Sequence, residues 1–513
     1  MTFQTGQKKW NGGSTKVTIT FQKKPPFNSS LEMASKPHII IFPFISQGHT
    51  MPLLDLSKAL SRQGLKVTII TTPSNSSSIS SYISRYSNIH LKEIPFPQVQ
   101  ELPKGCENTS QLHSLDQLFL FFNATKQLQE PFEETLRDMS KLQDPPTCVI
   151  SDSFLGWTNA SCCNFGIPRL AFHGMGVFAM AVKKSLSIHQ NHRWMKSDTE
   201  SVDVKGVQLC FELTKSDLPN SLRQMDTFLS QFYVEAEKSD LGSWGVIVNS
   251  FSELEIDHVA SLESLYGNDT RAWCVGPFFL YNQMEKASIG PNPYREWTNW
   301  LNQREHEKSV IYVSFGSQAY LSDNQLNELA YGLVLSGKDY ICVVKSNNWN
   351  PPRDIKKGRG LFVKEWVDKK WVLGLLAHKA IGGFLSHCGW NSVLESLSME
   401  VPILAWPMQN EQHLNAKFLV EEMKVGLRLP TVTRDGNTVR REVISEAVKE
   451  MLGGENGKRV RDNAIKIGKL AKRAVQVGGS SYECLNELID QLSHVSPVGN
   501  GNGIVHSMLA TSE

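Results

Sequence analysis

Residues 378–412 read HKAIGGFLSHCGWNSVLESLSMEVPILAWPMQNEQ, and the order of the pieces sets the fold. Ile381 to Leu385 is a short apolar run of the kind a buried strand needs. Ser386-His387-Cys388-Gly389-Trp390-Asn391 is a polar turn containing a glycine. Ser392 then opens a helical stretch, VLESLSM. Val401 to Trp406 reads as a second strand, ending at Pro407 and a polar cluster, Gln409-Asn410-Glu411-Gln412. Strand, turn, helix and strand in that order form a βαβ unit and imply a parallel sheet. A turn feeding a helix N-terminus presents main-chain N–H groups and the positive end of the helix dipole, which suits an anion. The polar cluster would sit beside it, at the carboxyl end of the next strand.

The theme repeats outward from this stretch. His38 to Phe44 is a continuous apolar run, Pro52 begins a helical pattern (LLDLSKALSRQG) closed by Gly64, and Lys66 to Thr71 is the next strand. Cys148 to Ser151, Arg169 to Phe172 and Gly245 to Asn249 continue the alternation. A segment rich in Gly, Pro and Asn runs from Gly276 to Pro293. Beyond it come a strand at Ser309–Ser314, a helix at Ser322–Gly337 and strands at Tyr340–Val344 and Leu361–Lys364, the last just before Trp366. A chain of 513 residues exceeds what one core usually serves.

The expected architecture is α/β, with two facing Rossmann-like domains, each a mostly parallel sheet with helices on both faces. The expected units are 37–275, a linker at 276–293, a second domain at 294–465, and closing helices at 466–493 that pack back toward the first domain. Residues 1–36 carry six Lys and one acid, Glu32, and with 494–513 are expected to be disordered; Met33 is a plausible alternative start. Two doubly wound domains keep their crevices at the carboxyl ends of their strands, so facing domains share one cleft.

A net charge of +2 gives no reason to expect nucleic acid or an anionic membrane as partner. No stretch approaches the ~18–20 apolar residues of a membrane span. Nine cysteines, an odd number without a CxxC, argue for reduced thiols and a cytoplasmic protein. His387-Cys388 has no second pair nearby, so no metal site is expected. A nicotinamide-binding Rossmann turn would need Gly-x-Gly-x-x-Gly after the first strand. Gln47-Gly48-His49-Thr50-Met51 stands there instead.

Trp366, His378, Gly383-Phe384, His387 through Ser392, Glu395, Val401-Pro402, Pro407 and Glu411-Gln412 resemble the donor-binding signature of plant family 1 UDP-glycosyltransferases. The resemblance covers about 37–493 and includes Gln47-Gly48-His49, Ser151-Asp152-Ser153-Phe154 and Ser314-Phe315-Gly316-Ser317. It implies a GT-B fold and transfer of a sugar from a UDP-sugar to an acceptor hydroxyl, with inversion at the anomeric carbon. It implies no metal and no permanently bound cofactor. The expected partners are UDP-glucose and a small lipophilic acceptor, and the expected state is a monomer.

The roles it implies sit beside plainer readings. An imidazole at His49 can take the acceptor's proton; without the match it is a polar residue at a strand end. Asp152 can orient that imidazole, or cap the helix that follows. His387, Gly389, Asn391 and Ser392 would hold the diphosphate, Ser317 would add a contact, and Trp390 would work through its main chain near the sugar. By spacing alone, Ser392-Val-Leu-Glu395 is a capping box; by resemblance Glu395 takes the ribose hydroxyls. Trp366 would stack on uracil. Glu411 and Gln412 would bind the sugar, and a Gln in that place goes with glucose donors. Phe121, Phe122, Phe154, Met175 and Phe178 are acceptor-pocket candidates, though core packing is the simpler reading for any one of them.

The chain departs from the pattern at Glu400, which stands where the family has Gly before Val401-Pro402, and between Trp366 and His378. Trp366 and His378 lie twelve apart where the family has nine, and Lys369 replaces an expected Gln. The three extra residues fall in KKWVLGLLA, at the nucleoside end of the pocket. An alternative reading follows: a family member with damaged donor binding, acting as a weak or non-catalytic binder.

Overall fold

The computed structural model describes residues 36–224, 227–267, 270–282, 295–316, 319, 321–346, 349–355, 359–364, 369–430 and 438–494. Ser317, Trp366, the segment before Lys36, most of the expected linker and most of the tail lie outside them.

Two parallel sheets carry the chain. The first holds β1 (His38–Phe42), β2 (Lys66–Thr71), β3 (Ile89–Glu93), β4 (Cys148–Asp152), β5 (Arg169–His173), β6 (Gly245–Val248) and β7 (Arg271–Cys274). Their order is β3-β2-β1-β4-β5-β6-β7. The second holds β8 (Val310–Ser314), β9 (Asp339–Val343), β10 (Gly360–Val363), β11 (Ile381–Ser386), β12 (Ile403–Ala405) and β13 (Gly426–Arg428), in the order β10-β9-β8-β11-β12-β13. Every pairing is parallel. Helices cover both faces, so the central strands are apolar throughout instead of alternating. The fold is the expected pair of Rossmann-like domains.

The strand order places the site. In each sheet the winding reverses between the first strand and the fourth, β1 and β4 in one, β8 and β11 in the other. Chains leaving neighbouring strands there turn to opposite faces and open a crevice at the carboxyl ends. His49 follows β1 and Asp152 ends β4. Gly316 follows β8 and His387 follows β11.

The lobes are joined by packed side chains. Phe178 of the first stacks on Phe418 of the second, ring centroids 5.2 Å apart. His258 Nε2 meets Glu422 Oε1 at 2.8 Å. The helix Glu455–Ala474 runs unbroken through position 465, where the second domain was expected to end. The helix Ser480–Ser493 sets Leu485, Leu488 and Leu492 into the core beneath the first sheet. No helix among the described residues is long and apolar enough to cross a membrane.

Candidate active site

The helix after β1 starts at Gln47, not at Pro52. It runs to Arg62 with Ser46 as its extended N-cap, and Pro52 lies inside it. His49 is therefore in the first helical turn, not in a loop, and its backbone is fixed by N–H donation to the Ser46 carbonyl at 3.0 Å. Its Nδ1 lies 2.7 Å from Asp152 Oδ2. Asp152 is fully buried, while the imidazole is 22% exposed toward the cleft. Rings of Phe44 and Phe154 flank it, with centroids at 5.5 and 4.8 Å.

Asp152 makes the contacts of both readings at once. Oδ1 accepts from the Phe154 N–H at 2.9 Å and caps the short turn Ser153–Leu155, while Oδ2 faces His49. Burial works against a charged imidazole, but the Asp152 charge and hydrogen bond, with Glu411 beyond, outweigh it. The His49 pKa is raised above its ordinary value.

On the other side of the cleft the turn after β11 is built with care for its backbone. Cys388 takes a left-handed conformation, φ 65°. Its N–H donates to Ser386 Oγ at 3.1 Å, and its carbonyl accepts from Asn415 Nδ2 at 2.9 Å. The helix that follows spans Trp390–Ser398, with Gly389 as N-cap and no side-chain cap. It begins two residues before Ser392, so Ser392 lies within the first turn and the Ser392–Glu395 capping box does not form. The N–H groups of Trp390, Asn391 and Ser392 belong to that turn and have no intrahelical acceptor.

His387 closes this end. Burial pushes its pKa down to about 4, so the ring is neutral near pH 7. Its Nδ1 is buried with no hydrogen-bond partner among the described residues. A Cβ at Gly316, where φ is +73°, would stand 2.7 Å from His387 Nε2, so no side chain fits between β8 and this imidazole.

Glu395, Glu411 and Gln412 line the same cavity, whose volume is about 1080 Å³. Gln412 Oε1 accepts from the N–H groups of Met408 and Gln409 at 3.0 and 2.9 Å. Two donors facing that oxygen fix the orientation of the carboxamide and leave its NH₂ for the cleft. Burial raises the Glu411 carboxyl, with Lys183 and His49 pulling the other way. Trp390 was expected to act through its main chain; its ring also crosses between the lobes, 2% exposed, with Nε1 donating to the Asn249 carbonyl at 2.8 Å.

Beyond β9 and β10, Val343, Val344, Lys345, Lys364 and Val372 line the cavity. The extra residues of KKWVLGLLA lie on a helix, Lys369–Leu376. Among the acceptor candidates, Phe122, Phe154 and Met175 line the cavity. Phe121 is core, packed on Phe44 and Phe96, and Phe178 belongs to the contact between lobes. Asn415, Asn249 and Lys183 were not anticipated. No local pattern marks a polar residue whose partner is distant in sequence. Among the described residues no three His, Cys, Asp or Glu side chains gather as metal ligands.

Known proteins share this layout. A family model described as "UDP-glucoronosyl and UDP-glucosyl transferase" matches residues 288–474, and one described as "Glycosyltransferase, N-terminal domain" matches residues 36–280. UDP-glycosyltransferase 90A1 of Arabidopsis thaliana is 38% identical over 89% of this chain and 96% of its own length. The anthocyanin 3'-O-beta-glucosyltransferase of Gentiana triflora is 35% identical over 89% of this chain and 98% of its own. Among solved structures, Glycyrrhiza uralensis UGT73P12 complexed with glycyrrhetinic acid 3-O-monoglucuronide superposes with a TM-score of 0.78 at 29% identity, covering 90% of this chain and 96% of that one. Phytolacca americana UGT2 complexed with UDP-2fluoro-glucose and pterostilbene gives 0.75 at 26% identity, covering 89% and 100%.

Proposed function

The chain belongs to the plant family 1 UDP-glycosyltransferases, and we propose that it transfers glucose from UDP-glucose to a hydroxyl of a small lipophilic plant metabolite, with inversion. The acceptor hydroxyl donates its proton to His49 Nε2. Its oxygen bonds to the anomeric carbon as the bond from that carbon to the diphosphate oxygen breaks. UDP leaves with the electron pair, and Asp152 stabilises the imidazolium that forms. Charge that develops on the diphosphate meets the free N–H groups of Trp390, Asn391 and Ser392, the helix dipole and the neutral His387. These donors do the work a cation would do, so the transfer is metal-independent.

Ser317 adds a phosphate contact, Trp366 stacks on uracil, and Glu395 takes the ribose hydroxyls. Glu411 and the Gln412 NH₂ bind the sugar. Phe122, Phe154 and Met175 give the acceptor an apolar, aromatic bed. The first lobe binds the acceptor and the second the donor, in a monomer. All nine cysteines are free thiols, which supports the cytoplasm as its compartment.

One observation carries this reading: the His49–Asp152 pair at 2.7 Å opens onto the cavity that His387 and the helix N-terminus also line. UDP-glucose incubated with a panel of flavonoids, simple phenols and terpenoids tests it, with glucosides read by mass spectrometry. The expected result is a β-glucoside, formed at a rate that His49→Ala reduces at least a hundredfold while UDP affinity stays within a few-fold. Undiminished turnover in His49→Ala would discard the base.

A further inference from the structure

Behind the His49–Asp152 pair lies a buried ionic cluster that the transfer chemistry does not touch. Arg169, at the start of β5, is 2% exposed. Its Nε donates to Ser151 Oγ at 2.7 Å. One terminal nitrogen donates to Asp240 Oδ1 at 2.6 Å and Ser243 Oγ at 2.9 Å, and the other to the main-chain carbonyl of Asp152 at 3.3 Å. His173 Nε2 stands 2.8 Å from Asp240 Oδ2. Burial opposes the Asp240 charge, but Arg169 and His173 outweigh it and hold the carboxyl below its ordinary range.

The cluster reaches further along the chain. Thr158 Oγ1 donates to the Leu155 carbonyl, so Ser151 Oγ must donate to Thr158 across their 2.7 Å contact. One guanidinium therefore fixes Ser151, the Asp152 peptide and, through Thr158, the end of the turn that Asp152 caps. A buried ion pair is a poor device for stability, because apolar groups of similar volume often hold a fold as well. What this one supplies is direction.

We propose that Arg169, with Asp240 as its counter-ion, is a positioning residue for the transfer: it sets the rotation of the Asp152 peptide and so the aim of the carboxylate at His49 Nδ1. The inference rests on the reading of His49 as base and Asp152 as its orienter.

The test compares three variants of the full chain: Arg169→Met/Asp240→Leu, which removes both charges together, Arg169→Lys, which keeps the charge without the fork, and His49→Ala. Thermal melting, KM for UDP-glucose, kcat and the acid limb of the kcat–pH profile are measured for each variant that turns over. The double variant is expected to melt near the parent with KM unchanged, while kcat falls roughly ten- to hundredfold. Its acid limb moves to lower pH, because Asp152 and Glu411 are the acids facing His49 and the nearer one is no longer held in register. Arg169→Lys shows the same limb shift with a smaller loss. A folded double variant with parental kcat and limb overturns the proposal. Should it not fold, parental kinetics in Arg169→Lys overturn it. Full turnover in His49→Ala instead removes the base assignment on which the inference stands.

Discussion

Asn391 Nδ2 donates to the main-chain carbonyl of Gly48 at 2.8 Å, across 343 positions of sequence and from the helix after β11 to the helix of His49. That carbonyl is available because of Pro52. In the helix Gln47–Arg62 the N–H that would take the Gly48 oxygen belongs to residue 52, and proline has none. Asn391, proposed to grip the diphosphate, thus also touches the helical turn of the proposed base, one residue before His49.

Pro52→Ala supplies the missing N–H, which competes for the Gly48 oxygen along the helix axis. A helix interior gains on losing a proline, by up to about 3 kcal/mol in an exposed helix. The variant is expected to melt several degrees higher and to lose about two- to tenfold in kcat/KM for UDP-glucose, the worth of a neutral hydrogen bond. A differential scan beside steady-state kinetics decides it. A variant equally active and no more stable would show that the Gly48 carbonyl is not the contested atom.

The raised pKa of His49 fixes a sign in pH. A base works only when neutral, so turnover rises as pH passes upward through the raised value. Asp152→Asn removes the charge that raises it and leaves the burial that lowers it. The acid limb is expected to move to lower pH while the plateau of kcat drops, by roughly 10²–10⁴-fold. UDP affinity, read by calorimetry, stays near that of the parent. A limb that stays in place would mean that another group sets it.

Much of this was written plainly in the sequence. The central strands β1, β4, β5, β8, β9 and β11 are buried on both faces, and continuous apolar runs betray them. Of the four edge strands, β10 was read, as Leu361–Lys364, and β3, β7 and β13 escaped. β3 buries only Ile89 of its five residues, and β13 spans three residues, too little for a pattern. Two helix starts were placed late for a shared reason. Pro52 and Ser392 each look like openers, yet the helices begin at Gln47 and Trp390, where no side chain caps the first turn. Those uncapped turns are the ones that face the cleft. Asn249, Asn415 and Arg169 were illegible because their partners are set by the tertiary fold.

Trp390 ties the helix Trp390–Ser398 to the first lobe through one bond, Nε1–H to the Asn249 carbonyl. Trp390→Phe keeps most of the packing and removes the donor. Asn249 is 2% exposed, so its oxygen would be left without water, at a cost of about 1–3 kcal/mol. The variant is expected to melt at lower temperature and to bind UDP-glucose more weakly, since the helix N-terminus moves with the ring. Trp194→Phe, at a position 85% exposed, serves as the control and should change neither. Equal melting of the two variants would show that the crossing bond contributes nothing.

Gln412 offers a way to separate folding from sugar recognition in one side chain. Its Oε1 holds the turn through Met408 and Gln409, and the side chain lines the cavity, where its NH₂ is proposed to meet the sugar. Gln412→Glu keeps an oxygen for both N–H groups and loses the donor pair. It is expected to fold with unchanged melting and to raise KM for UDP-glucose about tenfold, with a smaller effect on bare UDP. Gln412→Leu loses both functions, so two N–H groups go unpaired and melting falls too, by the equivalent of about 1–3 kcal/mol. Calorimetric titration of UDP and UDP-glucose into each variant reads the difference directly. If Glu and Leu weaken UDP-glucose alike and neither changes melting, the oxygen is not structural. If Glu binds UDP-glucose as tightly as Gln, the NH₂ does not touch the sugar.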